Sequence, residues 1–219
     1  MYYDPRKNDH GLPHNPFTAL VVPRPIGWIS TVSTSGIVNL APYSFFNIIS
    51  AYPPFVMFAS NPRKHSQRNA EETGEFVANL ATYELREEVN TSSADYAFDT
   101  SEADIVGLEM APSREVKPPR VARSPVALEC KYSKTIELFG SDGKRNPSQI
   151  VIGEVLGIHI DDRVIVDGHI KIERMRPIAR LGYMDYCVVD EIFSMMRPEA
   201  VDRDAAAEEP VPHKAAPKS

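Results

Sequence analysis

The stretch PRPIGWISTVSTSGIVNLAPYSFFNIIS, residues 23–50, decides the fold of this chain. Prolines punctuate its start, residues 26–32 alternate as a strand does, and Thr34-Ser35-Gly36 is a turn signal. Small hydroxyl and amide side chains are interleaved with aromatic ones throughout the stretch. That mixture suits a flat, amphipathic ring ligand, because apolar side chains cover its rings and polar groups meet its heteroatoms. An ordinary barrel strand with a Ser/Thr-rich turn has the same composition, and composition alone favours that alternative.

The segments beyond this stretch predict strands more often than helices. Apolar or alternating runs occur at residues 19–22, 55–59, 76–80, 126–138 and 150–160. The run at 55–59 (FVMFA) is continuously apolar, which predicts a strand buried on both faces, and residues 126–138 hold one long strand or two. Many strands, few helices and no regular β–α alternation indicate a mainly β fold, a barrel or a sandwich. The sequence contains no GxGxxG, so a nucleotide is not expected to bind in the Rossmann manner.

A basic turn followed by a short helix is the clearest candidate for phosphate binding. Ser66 is a good N-cap for a helix over residues 67–73, and Gly74 is suited to its C-terminal end. Arg63 and Lys64 lie just before this helix. A helix N-terminus offers free N–H groups and partial positive charge, so two neighbouring cations would complete a phosphate site. A solvated basic turn before a capped surface helix is the alternative.

The segment IVIGEVLGIHID, residues 150–161, is the clearest strand. A period of two places Gly153, Gly157 and His159 on the same face, together with Val151 and Val155. Two glycines on one face would leave room for a ligand or a neighbouring backbone. His159 ends that face and is a candidate ligand contact. A strand-end histidine whose ring is satisfied by a backbone carbonyl is equally consistent with the pattern.

The chain length of 219 residues favours one domain, residues 1–197, followed by a tail at residues 198–219. The tail is rich in Ala, Pro and charges and is predicted to be disordered. A helix is expected between Thr82 and Asn90. Residues 94–125 are polar and proline-rich, and so long a loop in a compact domain is often functional or part of an interface.

Net charge, motif spacing and the length of apolar runs argue against several classes of protein. The net charge of −6 argues against a general nucleic-acid binder. Cys130 and Cys187 show no CxxC spacing, so a cytoplasmic location is the expectation. We expect no signal peptide and no membrane span, because the N-terminus is polar and no apolar run approaches ~20 residues. The six histidines show neither HxxxH nor HExxH spacing and the chain has no GxSxG, so neither a metal site nor a hydrolase triad is predicted.

Several motifs occur in an order that resembles a known family. They are the PRPIGWIST strand, the NLAPYSFF loop, the YPPFV strand start, the EFVANL strand and the later IGEV. In these motifs the chain resembles the flavin reductase-like, FMN-binding split-barrel family. That family includes flavoredoxins and the reductase components of two-component monooxygenases, such as the nitrilotriacetate monooxygenase component B group. The resemblance spans roughly residues 17–181, and NLAPYSFF followed by PP is its most specific part.

The resemblance implies a six-stranded Greek-key split barrel with a few extra helices, assembled as a homodimer, with FMN at the barrel edge near the dimer interface. The flavin N5 would accept hydride from NADH or NADPH, while the protein supplies position and electrostatics. His159 falls where some members place a histidine near the nicotinamide. The residues implied to line the isoalloxazine ring and ribityl chain are Trp28, Ile29, Ser30, Thr31, Asn39, Ala41, Pro42, Tyr43, Ser44 and Phe45. Those implied to hold the phosphate are Ser60, Asn61, Arg63, Lys64 and Ser66.

Three functions fit such a flavin pocket. The first is an NAD(P)H-dependent flavin reductase, which could supply reduced flavin to a partner monooxygenase. The second is a flavoredoxin-type electron carrier that keeps FMN as a tight prosthetic group. The third is a non-redox flavin-binding protein. The sequence does not separate NADH from NADPH, FMN as substrate from FMN as prosthetic group, or one final electron acceptor from another.

Overall fold

The computed structural model of the chain describes residues 1–196 and 198. The predicted boundary at residue 197 and nearly all of the predicted disordered tail lie outside these residues. The described part contains short and long strands. They are β1 (Arg24–Pro25), β2 (Gly27–Val32), β3 (Val38–Tyr43), β4 (Phe46–Ala51), β5 (Pro54–Ser60), β6 (Glu75–Leu80), β7 (Met110–Ala111), β8 (Arg120–Val121), β9 (Val126–Phe139), β10 (Arg145–Ile160), β11 (Ile165–Val166), β12 (His169–Ile170), β13 (Ile178–Arg180) and β14 (Tyr186–Val188).

The helices are short. They are α1 (Phe17–Leu20), α2 (His65–Thr73), α3 (Arg86–Thr91), α4 (Glu102–Ile105) and α5 (Ile172–Met175), with 3-10 turns at Tyr83–Leu85 and Asp162–Val164. The mainly β architecture predicted from the sequence is therefore confirmed. No helix in the described ranges is both long enough and apolar enough to cross a bilayer.

One antiparallel sheet forms the body of the molecule. It has seven strands in the order β3-β2-β6-β9-β10-β5-β4, one more than the six expected. The sheet curls until its first strand packs against β5, where the Tyr43 and Phe58 rings lie 4.8 Å apart. The backbone amide of Ala59 in β5 also donates to the carbonyl of Phe45 (2.8 Å), a residue in the turn between β3 and β4. These contacts close the sheet into a barrel.

Strand β2 is buried on both faces because it lies between two clusters of apolar side chains. Ile29 points to the barrel interior, where Phe58 and Phe76 are fully buried. Trp28 points the other way, into a second cluster with Leu85 under the 3-10 turn and α3. Burial of each phenylalanine contributes about 1.5–3 kcal/mol, so this two-sided core is a large part of the fold's stability.

A β-bulge in β10 overturns the predicted alternation of its side chains. Val155 pairs with Cys130, but the next pair is Gly157 with Glu129, so Leu156 is an extra residue. The extra residue exchanges the faces beyond it. A Cβ at Gly153 would lie 2.4 Å from the Phe76 ring inside the barrel, whereas a Cβ at Gly157 would lie beside Glu115 and Glu129. The prediction that both glycines share one open face was wrong.

Other local predictions also need correction. Residues 17–20 form helix α1, so no strand covers 19–22. In β5 only alternate residues are buried, among them Val56 and Phe58, because its other face is half-exposed. Helix α2 begins two residues earlier than predicted, so Ser66 lies inside its first turn and Lys64 is the N-cap. The C-terminal end is as predicted, with Gly74 at φ 79°.

The long segment at residues 94–125 is ordered against the sheet. It contains α4 and the paired strands β7 and β8. Its anchor is the fully buried Glu129 of β9, whose carboxylate accepts hydrogen bonds from the backbone amides of Arg114, Glu115 and Val116. A buried carboxylate with several amide donors is well compensated, which explains how a polar, proline-rich segment is held in place.

Candidate functional site

A cavity of ≈460 Å³ opens where three chain segments meet at the edge of the barrel. The segments are the end of β3 with the turn after it, the turn between β5 and α2, and the chain that follows α3. The residues around it are Asn39, Ala41, Pro42, Tyr43, Ser44, Phe45, Ala59, Asn61, Pro62, Arg63, Lys64, His65, Ser66, Ser93, Ala94, Asp95, Tyr96 and Glu102. This volume lies in the range of small-molecule and cofactor sites.

One end of the cavity is suited to an anion. Lys64 precedes α2 in an extended conformation and gives no side-chain cap. The N–H groups of the first turn of this nine-residue helix therefore remain available to a ligand, as does the positive end of its dipole. Ser60 shapes the turn before the helix, since its hydroxyl accepts from the Lys64 amide (3.1 Å) and donates to the Pro62 carbonyl (2.8 Å).

Two cationic side chains lie next to the start of α2, and each forms an ion pair with a carboxylate. Arg63 pairs with Glu71 (2.7 Å) and Lys64 pairs with Asp95 (2.8 Å). Lys64 holds the pKa of Asp95 below its usual range. Burial raises the pKa of Glu71, but its hydrogen bonds from Gln67, Thr135 and Arg63 outweigh burial and leave the pKa lowered. Exposed pairs of this kind are worth about 0–1 kcal/mol, so a bound anion can displace the acidic partners at little cost.

The buried wall of the cavity is polar and joins β3 to α2 and α4. With its amide oriented to satisfy both ends, Asn39 donates to Glu102 Oε1 (3.2 Å) and accepts from the Ser66 hydroxyl (2.8 Å). Glu102 Oε2 accepts from the backbone amide of Leu40 (2.9 Å). Burial raises the pKa of Glu102 above its usual range.

Tyr43 gives an independent indication that a ligand belongs here. Its hydroxyl is buried and has no hydrogen-bond partner among the described residues. Burial raises the pKa of Tyr43, and the nearby hydroxyls of Ser66 and Ser60, each of which donates its own hydrogen elsewhere, act in the opposite direction. Because an unpaired buried hydroxyl costs about 1–3 kcal/mol, a ligand atom that accepts from it would remove that cost.

The structure brings most of the predicted site residues together. The predicted residues that line the cavity are Asn39, Ala41, Pro42, Tyr43, Ser44, Phe45, Asn61, Arg63, Lys64 and Ser66. Ser60 lies beneath the cavity and orients the turn. Small and apolar side chains from the β3 turn and charged groups at the start of α2 line the same cavity, which fits a flat, phosphorylated ligand.

The predicted residues of β2 lie in the interior and do not line the cavity. The Trp28 indole donates to the Ser92 hydroxyl (2.9 Å), and Ser30 donates to the Pro119 carbonyl (2.6 Å). Thr31 accepts from Asn69 of α2 (3.1 Å), while Ile29 packs in the barrel core. Their polar groups thus tie the sheet to the surrounding helices and to the 94–125 segment.

His159 lies in a different pocket. Its Nε2 is hydrogen-bonded to Glu129 Oε1, and the pocket is formed mainly by Arg114, Glu115 and β10. Burial raises the pKa of Glu129, but the Arg114 and Glu115 amides and His159 outweigh this effect and leave the pKa lowered. Within one protomer His159 therefore supports the anchor of the 94–125 segment.

Several lining residues were not predicted, among them His65, Asp95, Tyr96 and Glu102. The last three belong to the long polar segment, whose length was the available signal. In the described ranges, no group of three or more His, Cys, Asp or Glu side chains is placed to hold a metal ion.

Comparisons with known proteins agree with this architecture. A family model described as "Flavin reductase like domain" matches residues 19–172. The uncharacterized protein BH2278 of Halalkalibacterium halodurans is 36% identical over 183 residues, which are 81% of this chain and 87% of that relative.

Two solved structures are similar to this chain in fold. Nitrilotriacetate monooxygenase component B from Bacillus cereus matches with a TM-score of 0.82 and 28% identity, covering 89% of this chain and 98% of that one. A protein with a split barrel domain from Shewanella frigidimarina matches with a TM-score of 0.75 and 22% identity, over 90% and 100% of the two chains. The predicted split-barrel fold is confirmed.

Proposed function

The chain belongs to the flavin reductase-like domain family, and on that premise we propose that it is an FMN-binding oxidoreductase of the NAD(P)H:flavin reductase type. The observation that carries the proposal is the cavity itself. The start of α2 provides free helix amides, Arg63 and Lys64, and the turn after β3 provides small and apolar side chains to the same cavity. FMN has the matching distribution, a dianionic phosphate at one end and a flat amphipathic ring at the other.

We assign the phosphate to the start of α2. Arg63 and Lys64 would exchange Glu71 and Asp95 for phosphate oxygens, and the Ser66 region would supply N–H donors. The Tyr43 hydroxyl, which lacks a partner, would donate to the ligand. The ring would then lie toward Ala41, Pro42 and Phe45.

When bound, the flavin supplies the capacity to accept hydride, and the residues of this chain hold it in place. Phe45 is 43% exposed at the cavity. An exposed aromatic side chain at this position can cover one part of the ring and leave another part open to a second flat substrate, such as a nicotinamide. The chain's contribution to catalysis is thus orientation and electrostatic stabilisation of the ligand.

A homodimer is part of the proposal. Ile48 and Ile49 of β4 are 60% and 50% exposed, and Leu156 and Ile158 of β10 are 45% and 57% exposed. Several large apolar side chains left in solvent on the main sheet favour burial against a second copy. His159 does not line the cavity of its own protomer, so a contact with the nicotinamide would come from the partner subunit.

The similarity to nitrilotriacetate monooxygenase component B supports a reductase that works with a separate oxygenase. In that role reduced FMN would leave the protein, whereas an electron carrier would retain it. Retention of flavin through gel filtration separates the two possibilities.

Anaerobic reduction tests the proposed activity. We expect NADH or NADPH to bleach the FMN absorbance when the protein is present in catalytic amount, and not in its absence. A matched control contains protein in which Arg63 and Lys64 are both changed to alanine. Binding of FMN without reduction by either nucleotide would exclude the reductase function and leave the electron carrier or the non-redox flavin-binding protein.

A further inference from the structure

The chain that follows α3 passes beside the cavity as a strap, which we define as residues 93–101. Both ends of the strap are fixed in the interior. Ser92, just before it, is 1% exposed and accepts a hydrogen bond from the Trp28 indole (2.9 Å). Glu102, just after it, is 3% exposed and accepts from the backbone amide of Leu40 (2.9 Å). Between these two anchors, the first four residues of the strap line the cavity.

Side chains attach the strap to the start of α2 at two points. Asp95 forms an ion pair with Lys64, the N-cap residue of the helix (2.8 Å). Phe98 packs edge-to-face against His65, with ring centroids 5.0 Å apart, and Arg68 lies over the Phe98 ring at 4.1 Å from its centroid. Lys64 lines the cavity and Arg68 does not. An anion in the cavity therefore competes with the first attachment and leaves the second in place.

The two carboxylates that pair with the cations differ in how firmly they are held. Glu71 belongs to α2 itself, and its half-buried carboxylate also accepts hydrogen bonds from Gln67 and Thr135 (2.8 Å each). The Asp95 side chain is 87% exposed, and Lys64 is its only hydrogen-bonding or ion-pair partner in the described ranges. An ion pair this exposed shifts an equilibrium by only about two- to fivefold. A ligand that binds Lys64 therefore displaces a loosely held carboxylate.

We propose that Asp95 is an internal competitor of the ligand's phosphate: it occupies Lys64 in the free protein and is displaced, together with the strap around it, when a phosphorylated ligand binds. The inference rests on the proposed function, since it concerns FMN in the same cavity. Carboxylate and phosphate are both anions that bind the same ammonium group, so they exclude each other there. Phe98 keeps the strap tethered to α2, which holds the carboxylate close enough to return when the ligand leaves.

Internal competition lowers the affinity for the ligand without removing any contact to it. The apparent dissociation constant is the intrinsic one divided by the fraction of protein in which Lys64 is not paired with Asp95. A pair that favours the closed form by about two- to fivefold therefore weakens FMN binding about three- to sixfold. Riboflavin, which has no phosphate, is unaffected. The competitor thus favours exchange of FMN with solution, as a reductase that delivers reduced flavin to another protein requires.

A double-mutant cycle, measured by fluorescence titration of FMN and riboflavin, tests the competition. Asp95→Asn should tighten FMN binding about three- to sixfold and leave riboflavin binding unchanged. In a Lys64→Ala background the same substitution should have no effect on FMN, because the competitor has lost the group that it occupies. Asp99→Asn is the matched control, since it removes the same charge from an exposed residue of the same strap, and it should retain the wild-type affinity.

A general charge effect gives a different pattern from competition for Lys64. Tighter FMN binding in Asp95→Asn that persists in the Lys64→Ala background, or that Asp99→Asn reproduces, would overturn the internal competitor. Equal tightening of riboflavin, or an FMN affinity that Asp95→Asn leaves unchanged or weakens, would also overturn it while the proposed function stands. Failure of wild type to bind FMN would overturn both the competitor and the proposed function.

Discussion

The amide of Asn39 and the hydroxyl of Ser66 lie 2.8 Å apart, although 27 positions separate the two residues in sequence. The contact joins β3, whose end provides the apolar part of the cavity, to the first turn of α2, which provides the anion-binding part. The same amide reaches Glu102, so one side chain connects three elements of the site. The distance between the two halves of the cavity is therefore set by a buried polar contact.

The cations at the start of α2 should discriminate between ligands with and without phosphate. Changing Arg63 and Lys64 together to alanine removes two charge-assisted contacts, each worth about 1.5–3 kcal/mol, so FMN binding should weaken by at least a hundredfold. Riboflavin binding should change by less than about threefold. Both dissociation constants can be measured by fluorescence titration. Arg86→Ala, which removes a cation outside the cavity, is the control, and equal loss for FMN and riboflavin would show that the two residues act on folding alone.

Because of the bulge in β10, substitutions at its two glycines should differ in how much they lower the free energy of unfolding. Gly153→Ala places a Cβ 2.4 Å from the buried Phe76 ring and should lower the free energy of unfolding by about 1–3 kcal/mol. Gly157→Ala meets Glu115 Cγ at 3.3 Å, and that side chain can move, so its effect should be smaller. Urea denaturation measures both. Equal stability of Gly153→Ala and wild type would contradict the register that we describe.

Glu129 should contribute to stability in a pH-dependent manner. Its folded-state pKa lies below the ordinary value of 4.5, so the folded state releases the proton more readily than the unfolded state. The resulting stability is present above pH ~4.5 and is lost as the pH falls through the folded-state pKa. Glu129→Gln should therefore flatten the acid limb of the free energy of unfolding against pH.

Urea denaturation between pH 3 and 7 provides this measurement, with the exposed Glu109→Gln as the control for a carboxyl outside the anchor. An acid limb that is as steep in Glu129→Gln as in wild type would mean that the carboxylate does not stabilise the 94–125 segment through its charge.

The exposed apolar side chains of the sheet should mediate dimer formation. Light scattering should give about twice the chain mass of 24.4 kDa at micromolar concentration. Ile158→Asp, at a residue 57% exposed, should shift the mass toward the monomer because it places a charge in the buried interface. Ile165→Asp, at a residue 40% exposed outside the main sheet, is the control. A wild-type monomer would contradict the proposed assembly.

Sequence patterns predicted the elements of the fold better than their details. The strands at 76–80 and 126–138 and the helix ending at Gly74 were predictable from local patterns. The alternation in β10 failed because a single extra residue, Leu156, reverses the faces, and a bulge leaves no mark in hydrophobic periodicity.

The site was predictable where its residues are adjacent in sequence. Most of the site residues within 39–45 and 61–66 were found because each run carries its own chemistry. Glu102 could not be assigned, since its burial depends on contacts with Asn39 and Leu40 from a distant strand. The small polar residues of β2 suggested a ligand, whereas Ser30 and Thr31 bond to other parts of the chain because β2 is covered on both faces.

Titration of FMN with the purified protein tests the central claim most directly. We expect the fluorescence of FMN to change with a dissociation constant in the micromolar range or below, which corresponds to about 8 kcal/mol or more of binding free energy. Riboflavin should bind more weakly under the same conditions, because it lacks the phosphate that the start of α2 is placed to receive. Absence of any FMN binding at ~100 μM, with the protein folded, would contradict the assignment of this cavity to a flavin.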